Sequence, residues 1–307
     1  MTEIRSLTYA HNPSALLTIW NTFWLRGHKI KLEKNIPLIN LAMPDFRINP
    51  KHLMTFNKIC GIKGAPFPQI LYPFTLSYPF IMRLLSMKDV PFSLFTILNI
   101  SNNMTLYRPV GIQESLSLEC RISDIRLIPK GYELDVLSEI IANGNVVWEN
   151  TATYFFRGKS NLDENTNNKS KLEPIPEGDT IGQWFLPAKD RFRFARISGD
   201  TNGIHYNKWY ARLMGFKRDF AQPIRVVAKC VDVLPPLPEK WPLNLYFLLK
   251  GPAYYENNLF LKIKSTQNSH RFDLFQEGND RPCICGTLSV DSLVTTRHTL
   301  HSTKNGG

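Results

Sequence analysis

One order, an apolar helix followed by antiparallel strands, occurs twice in this sequence, once on each side of a polar stretch. That repetition narrows the fold more than any other feature. In the first half "FPQILYPFTLSYPFIMRLLSM" (67–87) is strongly apolar. Pro73 and Pro79 interrupt its start, because proline lacks an N–H and its ring crowds the preceding turn, so the helix is expected to begin near Ser77. Then come "LFTILNISNNMTLYRPV", "ESLSLECRISDIRLIP", "YELDVLSEII" and "NVVWENTATYFFR". These runs alternate apolar and polar residues at period two, as half-buried strands do. Asn143-Gly144 between the last two is a hairpin signal. In the second half "PIRVVAKCVDVL" (223–234) has helical spacing and stops at Pro235-Pro236. Strand-like runs follow again: "LNLYFLLKG", "NLFLKIKST", "HRFDLFQEG" and "CICGTLSVDSLV". The expected fold is α+β, with two antiparallel sheets, each wrapped around a central helix, forming a fused pseudo-dimer.

The divider, "RGKSNLDENTNNKSKLEPIPEGDT" (157–180), is rich in Asn, Lys, Ser, Pro and Glu and poor in apolar residues, a linker composition. A chain of 307 residues suits about two domains. The expected division is 1–156, linker 157–180, 181–295 and a frayed tail 296–307. With 43% hydrophobic and 21% charged residues, the chain can build a sizeable core. Cys60, Cys120, Cys230, Cys283 and Cys285 are odd in number and widely spread, which points to reduced thiols and a cytoplasmic setting. No further ligands stand at metal spacing from Cys283 and Cys285, so no metal is expected.

The net charge of +11 favours an anionic partner. Apart from "RGHKIKLEK" (26–34) the basic residues are scattered, and no nucleic-acid motif accompanies them, so a nucleic-acid role is not expected. "PSALLTIWNTFWL" (13–25) is too short to span a bilayer and lacks a small-residue cleavage site. It is read as a helix packed on its own domain, leaving the chain with no integral membrane segment.

One short run carries chemistry. In "RISGDTNGIHYN" (196–207), Gly199 fits the left-handed end of a helix over "DRFRFARI". Asn207 fits the N-cap of a helix over "KWYARLMGF", and Gly215 its terminator. Punctuation between two helices therefore explains Gly199, Asn207 and Gly215. It does not explain Asp200 and His205, an ionisable pair in a stretch too polar for a core.

That run resembles the signature of the MaoC-like hydratases and dehydratases of the hot-dog fold. The family's pattern is an aromatic residue, Ser-Gly-Asp-x-Asn-Pro-aliphatic-His, a helix ending near Gly-Phe, then Ala-His-Gly-Met opening the central helix. Here these are Phe194, "SGDTNGIH" (198–205), "GF" (215–216) and "AQPI" (221–224). The first half is similar to the N-terminal hot-dog of two-domain members, through "YPF", "YRPV" (107–110) and "VVWENTATYFFRG". The resemblance implies a double hot-dog. It also implies interconversion of 2-enoyl and (R)-3-hydroxyacyl thioesters, carried on coenzyme A or an acyl carrier protein, with no cofactor. Asp200 and His205 would handle the water, with Ser198, Gly199, Asn202 and Gly203 supporting the loop. The first half has no matching Asp-x4-His, so one site per chain is expected. Phe74, Tyr78, Phe80 and Tyr107 are candidate walls of an acyl pocket.

Two positions depart from the family. Gly203 replaces its proline, and "AQPI" replaces Ala-His-Gly-Met. Proline is comfortable in the first turn of a helix, but Pro223 has no N–H where the family's glycine donates to the thioester oxygen. Three readings are open. The donor moves to the N–H of Ile224 or Arg225, still unpaired within the first turn. The Gln222 amide or the Arg225 guanidinium supplies it. Or the chain binds acyl thioesters as a partner subunit without efficient turnover. A hot-dog thioesterase is a further alternative, since one fold hosts several chemistries. Whether the chain forms a homo-oligomer is left open.

Overall fold

The computed structural model describes residues 5–14, 18, 39–64, 67–88, 90, 94, 97–158, 172–175 and 177–290. Most of the stretch 13–25, all of the basic segment 26–34 and the tail 296–307 therefore lie outside the described residues. Among the described residues eleven strands form one sheet in the order β1-β2-β4-β5-β6-β3-β8-β11-β10-β9-β7. In the first half they are β1 (Arg5–Thr8), β2 (Ile39–Phe46), β3 (Ile97–Leu106), β4 (Leu116–Ile128), β5 (Gly131–Ala142) and β6 (Asn145–Arg157). In the second they are β7 (Asp179–Leu186), β8 (Leu243–Leu249), β9 (Asn257–Ser265), β10 (Ser269–Gln276) and β11 (Ile284–Ser289).

Outward from the middle, one half reads β3-β6-β5-β4-β2 and the other β8-β11-β10-β9-β7. These are the same order when each half is counted from its own first paired strand, as a pseudo-twofold relation requires. The two expected sheets meet edge to edge where β3 pairs antiparallel with β8, from Ser101 opposite Leu248 to Leu106 opposite Leu243. The seam thus turns two open edges into a paired ladder. β1 adds a short parallel strand outside β2. The Asn143-Gly144 turn forms as its sequence requires, with φ of 50° and 75°.

Helices α1 (Pro50–Cys60) and α2 (Tyr72–Leu85) belong to the first half. The second half carries α3 (Arg191–Ser198), a 3₁₀ turn (Gly203–His205), α4 (Lys208–Leu213) and α5 (Pro223–Val233). The sequence reading did not register α1, although its signals are present. The Asn49 side chain accepts from the N–H groups of Lys51 and His52, Pro50 opens the helix, and Gly61 ends it at φ 66°. It also missed β1, β2 and β7, and β7 begins at Asp179, inside the stretch read as linker. β7 has no clear apolar alternation; pairing with β9 makes it a strand.

Two readings need correction. Helix α2 starts at Tyr72, not near Ser77. Pro73 sits in its first turn, where no N–H is needed. Pro79 lies inside the helix, held by a largely buried surface that overrides its poor propensity. "YRPV" does not lie on a strand: β3 ends at Leu106. Arg108 donates to Pro109 O and Glu114 and closes a loop there. Helix contacts also join the halves. Gln69 Nε2 donates to Ala228 O at 3.1 Å, Lys229 Nζ to Gly61 O at 2.7 Å, and Lys63 N to Asp232 Oδ1 at 2.8 Å.

Candidate active site

Between α1 and α2 the first half has a short connection. At the corresponding place, between α3 and α5, the second half carries the longer segment 199–222 with the 3₁₀ turn and α4. This segment forms one wall of a cavity of about 500 Å³. The opposite wall comes from the first half, including Phe74, Tyr78, Met82, Ile97 and Leu98. Of the four candidate pocket residues, Phe74 and Tyr78 line it. Phe80 is sealed in the core and Tyr107 is partly exposed away from the cavity. A half-turn on a helix decides such matters, and the composition of the segment does not reveal it.

The loop is built by its own side chains. Gly199 ends α3 at φ 71°, a conformation that costs other residues because of Cβ crowding. A Cβ there would also lie 2.8 Å from Pro79 Cγ of the other half. Ser198 Oγ donates to Phe194 O at 2.8 Å and accepts from Asp200 N at 3.2 Å. Asp200 Oδ1 accepts from Asn202 N at 3.1 Å, and Asn202 Oδ1 from Ile204 N at 3.3 Å, capping the 3₁₀ turn. A Cβ on Gly203 would meet the Tyr210 ring at 2.8 Å. Glycine here therefore serves close approach of an aromatic ring rather than positive φ.

Asp200 and His205 are buried, 8% and 5% exposed, and both line the cavity. His205 Nε2 stands 3.4 Å from Asp200 Oδ2. His205 Nδ1 is 3.0 Å from Phe220 O. A carbonyl only accepts, so Nδ1 carries a proton there and Nε2 is the ring nitrogen that faces Asp200. Phe220 also packs edge-on against the imidazole, at 4.9 Å between centroids. The result is an imidazole nitrogen and a carboxylate oxygen side by side on a cavity wall, two acceptors whenever the ring is neutral. A water, with two O–H donors, is the small molecule that satisfies both.

Three tyrosines surround this pair. The Tyr78 hydroxyl, from α2, hydrogen-bonds Asp200. Burial and the Asp200 charge raise its pKa well above the usual phenol value, so it stays a donor. Burial raises Tyr154, on β6, in the same way, with smaller contributions from Cys120 and Asp200. Burial pushes Tyr206 up to about 12, again with a lesser Asp200 contribution, and its hydroxyl donates to Thr201 O. Sequence reasoning gave Tyr78 only a wall role and missed Tyr154, Tyr206 and the Phe220 carbonyl. Only the fold brings these residues to Asp200.

Helix α5 starts at the same cavity, where Gln222, Pro223 and Ile224 line the wall. Gln222 is its N-cap and Pro223 opens it. Arg225 is buried but is not among the cavity-lining residues; it donates to Pro187 O at 3.4 Å and lies over the Tyr255 ring. Among the described residues no cluster of His, Cys, Asp and Glu could hold a metal ion, and no helix is long and apolar enough to cross a membrane.

No family model matches the chain. It is 24% identical over 181 residues to 3-hydroxyacyl-thioester dehydratase X of Mycobacterium tuberculosis; the match covers 59% of this chain and 64% of that relative's length. The fold is similar to the crystal structure of HtdX from Mycobacterium tuberculosis, at TM-score 0.69 and 18% identity over 81% of this chain and 98% of that one. A MaoC-like dehydratase from Phytophthora capsici gives TM-score 0.67 at 14% identity, over 87% and 100%. A Mycobacterium tuberculosis protein with a double hot-dog fold gives 0.54 at 9%, over 80% and 93%. The strand order repeated across the seam and these likenesses agree on one fold, a double hot-dog similar to that of MaoC-like dehydratases.

Proposed function

We propose that the chain is a hydro-lyase that interconverts 2-enoyl and 3-hydroxyacyl thioesters, carried on coenzyme A or an acyl carrier protein. One observation carries the reading: His205 Nε2 and Asp200 Oδ2, 3.4 Å apart on the cavity wall, with Nδ1 committed to Phe220 O. Hydration needs oxygen delivered to the β-carbon and a proton to the α-carbon. A water held by both acceptors serves both ends, because a base of the pair takes one proton as the C–O bond forms and the pair returns a proton to the α-carbon. Tyr78 holds the carboxylate in place, and Ser198, Gly199, Asn202 and Gly203 shape the loop around it. Family likeness suggests the (R) alcohol.

In this reading the first half, residues 1–156, has no catalytic pair of its own and lends the apolar wall on which the acyl chain lies. Residues 181–295 supply the chemistry. A second reading, a binding or partner subunit with impaired turnover, is favoured by Pro223, which lacks the N–H of the family's oxyanion donor. Purified full-length chain mixed with short, medium and long 2-enoyl-CoA separates the readings. Loss of conjugated-enoyl absorbance without free thiol supports the hydro-lyase. Tight binding with neither change supports the partner subunit, and thiol release would identify a thioesterase.

A further inference from the structure

The reaction builds negative charge on the thioester oxygen, and the backbone position that donates to it in the family is a proline here. The cavity wall at that place holds an unused donor. Gln222 is 1% exposed, and its Nε2 is buried without a hydrogen-bond partner among the described residues. A buried donor left unpaired is costly, so it is informative when it belongs to a residue lining a cavity.

The neighbours of Gln222 determine which end of its amide is free. Tyr255 Oη lies 3.3 Å from Gln222 Oε1. The Arg225 guanidinium, whose carbon lies 5.9 Å from the Tyr255 ring centroid, packs over the same phenol. The phenol donates its proton to Gln222 Oε1, since an amide oxygen only accepts. The carbonyl end of the amide is therefore taken, and Nε2 is left over. Tyr255 thus fixes the carbonyl end of Gln222, with the Arg225 cation stacked over its ring, and a hydrogen bond accepted at the amide oxygen strengthens the amide donor.

We propose that the Gln222 side-chain amide is the oxyanion donor of this enzyme, standing in for the N–H that Pro223 lacks, with Tyr255 and Arg225 as positioning residues. The proposal rests on the hydro-lyase reading and deepens it. It replaces a backbone donor with a side-chain donor one residue earlier, still at the positive end of α5. The buried Arg225 then acts through Tyr255, because its guanidinium packs over the ring whose hydroxyl holds the amide oxygen.

The test uses full-length chain and a medium-chain trans-2-enoyl-CoA. Gln222→Met keeps the length of the side chain and removes the donor. It is expected to lower kcat by about 10²–10³-fold, the loss typical of one oxyanion donor, with KM little changed. Tyr255→Phe should give a smaller loss in kcat, and combining it with Gln222→Met should add little, because both act through one bond. A second readout does not depend on turnover. In an Asp200→Asn background the bound enoyl thioester should show a carbonyl stretch shifted to lower frequency, and Gln222→Met should abolish the shift. Melting temperatures exclude unfolding. If Gln222→Met retains kcat and the carbonyl shift, the donor is elsewhere and the proposal fails. Loss of the shift in Tyr154→Phe instead would assign it to Tyr154, whose buried hydroxyl also lacks a partner among the described residues. If Asp200→Asn alone leaves hydration intact, or wild type hydrates nothing, the hydro-lyase reading fails and this proposal with it. If Asp200→Asn abolishes turnover while Gln222→Met does not, only the oxyanion assignment is lost.

Discussion

Asp200 and His205 face a cavity rather than filling a core, so their removal should affect chemistry more than folding. Asp200→Asn and His205→Ala are each expected to lower hydration by about 10²–10⁴-fold, the usual contribution of a positioned acid or base. Steady-state rates with a 2-enoyl-CoA, and melting curves close to wild type, check this together. Near-normal turnover in either variant would contradict the assigned roles. Gly199 should behave in the opposite way. Gly199→Ala places a side chain at φ 71° and 2.8 Å from Pro79 Cγ, so it should cost at least about 1–2 kcal/mol of stability, read by urea unfolding. At this scale the sequence singled out residues that helix punctuation left over. Asp200 and His205 stood out because helix punctuation could not use them. Tyr78 did not stand out, because an aromatic residue in an apolar segment is ordinary until the fold places its hydroxyl on Asp200.

Among the elements, α5 carries the altered helix start. If Gln222 supplies the donor, Pro223→Gly in the otherwise native chain should change the hydration rate little. In the Gln222→Met background the same substitution restores a backbone N–H and should recover roughly one order of magnitude in kcat, part of what one donor is worth. Both glycine variants should melt at a lower temperature, because glycine loses more conformational entropy on folding than proline. Helix α1 holds the last turn of α3, just before Asp200, from the other side. His52 Nε2 is 2.8 Å from Ile197 O and Nδ1 3.1 Å from Tyr72 Oη. The ring is therefore neutral, donating through Nε2 and accepting from Tyr72, and burial lowers its pKa below the ordinary imidazole value. The unfolded chain then binds the proton more readily, so stability rises with pH in this window. The contribution is complete above the unfolded pKa of about 6.5 and is lost as pH falls through and below it. His52→Gln should flatten the fall in melting temperature between neutral and mildly acidic pH; an unchanged profile would remove His52 from this role. The strands of the two meanders were legible from period-two alternation, and α5 from its apolar spacing. Helix α2 was misplaced by five residues because proline rules describe an isolated helix, whereas Tyr72, Pro73 and Phe74 are buried in this one. β7 was missed because its partner, not its own sequence, makes it a strand.

For the whole molecule, the repeat in the sequence pointed to two like halves, and the matching strand orders on either side of the β3–β8 seam have that form. The seam leaves each half dependent on the other. Expressed apart, fragments 1–160 and 175–307 would each present an unpaired central strand, and such edges template aggregation. They are expected to be insoluble or to self-associate; two monomeric, cooperatively folding fragments would count against a fused pseudo-dimer. The cavity has the same dependence, since its apolar wall and its polar wall come from different halves. The central claim, that one site per chain at Asp200 and His205 adds water to an enoyl thioester, is tested most directly by one comparison. Wild type and Asp200→Asn are mixed with medium-chain 2-enoyl-CoA, and conjugated-enoyl absorbance and free thiol are followed together. The expected result is loss of absorbance without thiol in wild type and almost none in the variant. Equal rates in the two proteins, thiol release, or no reaction in wild type would contradict it.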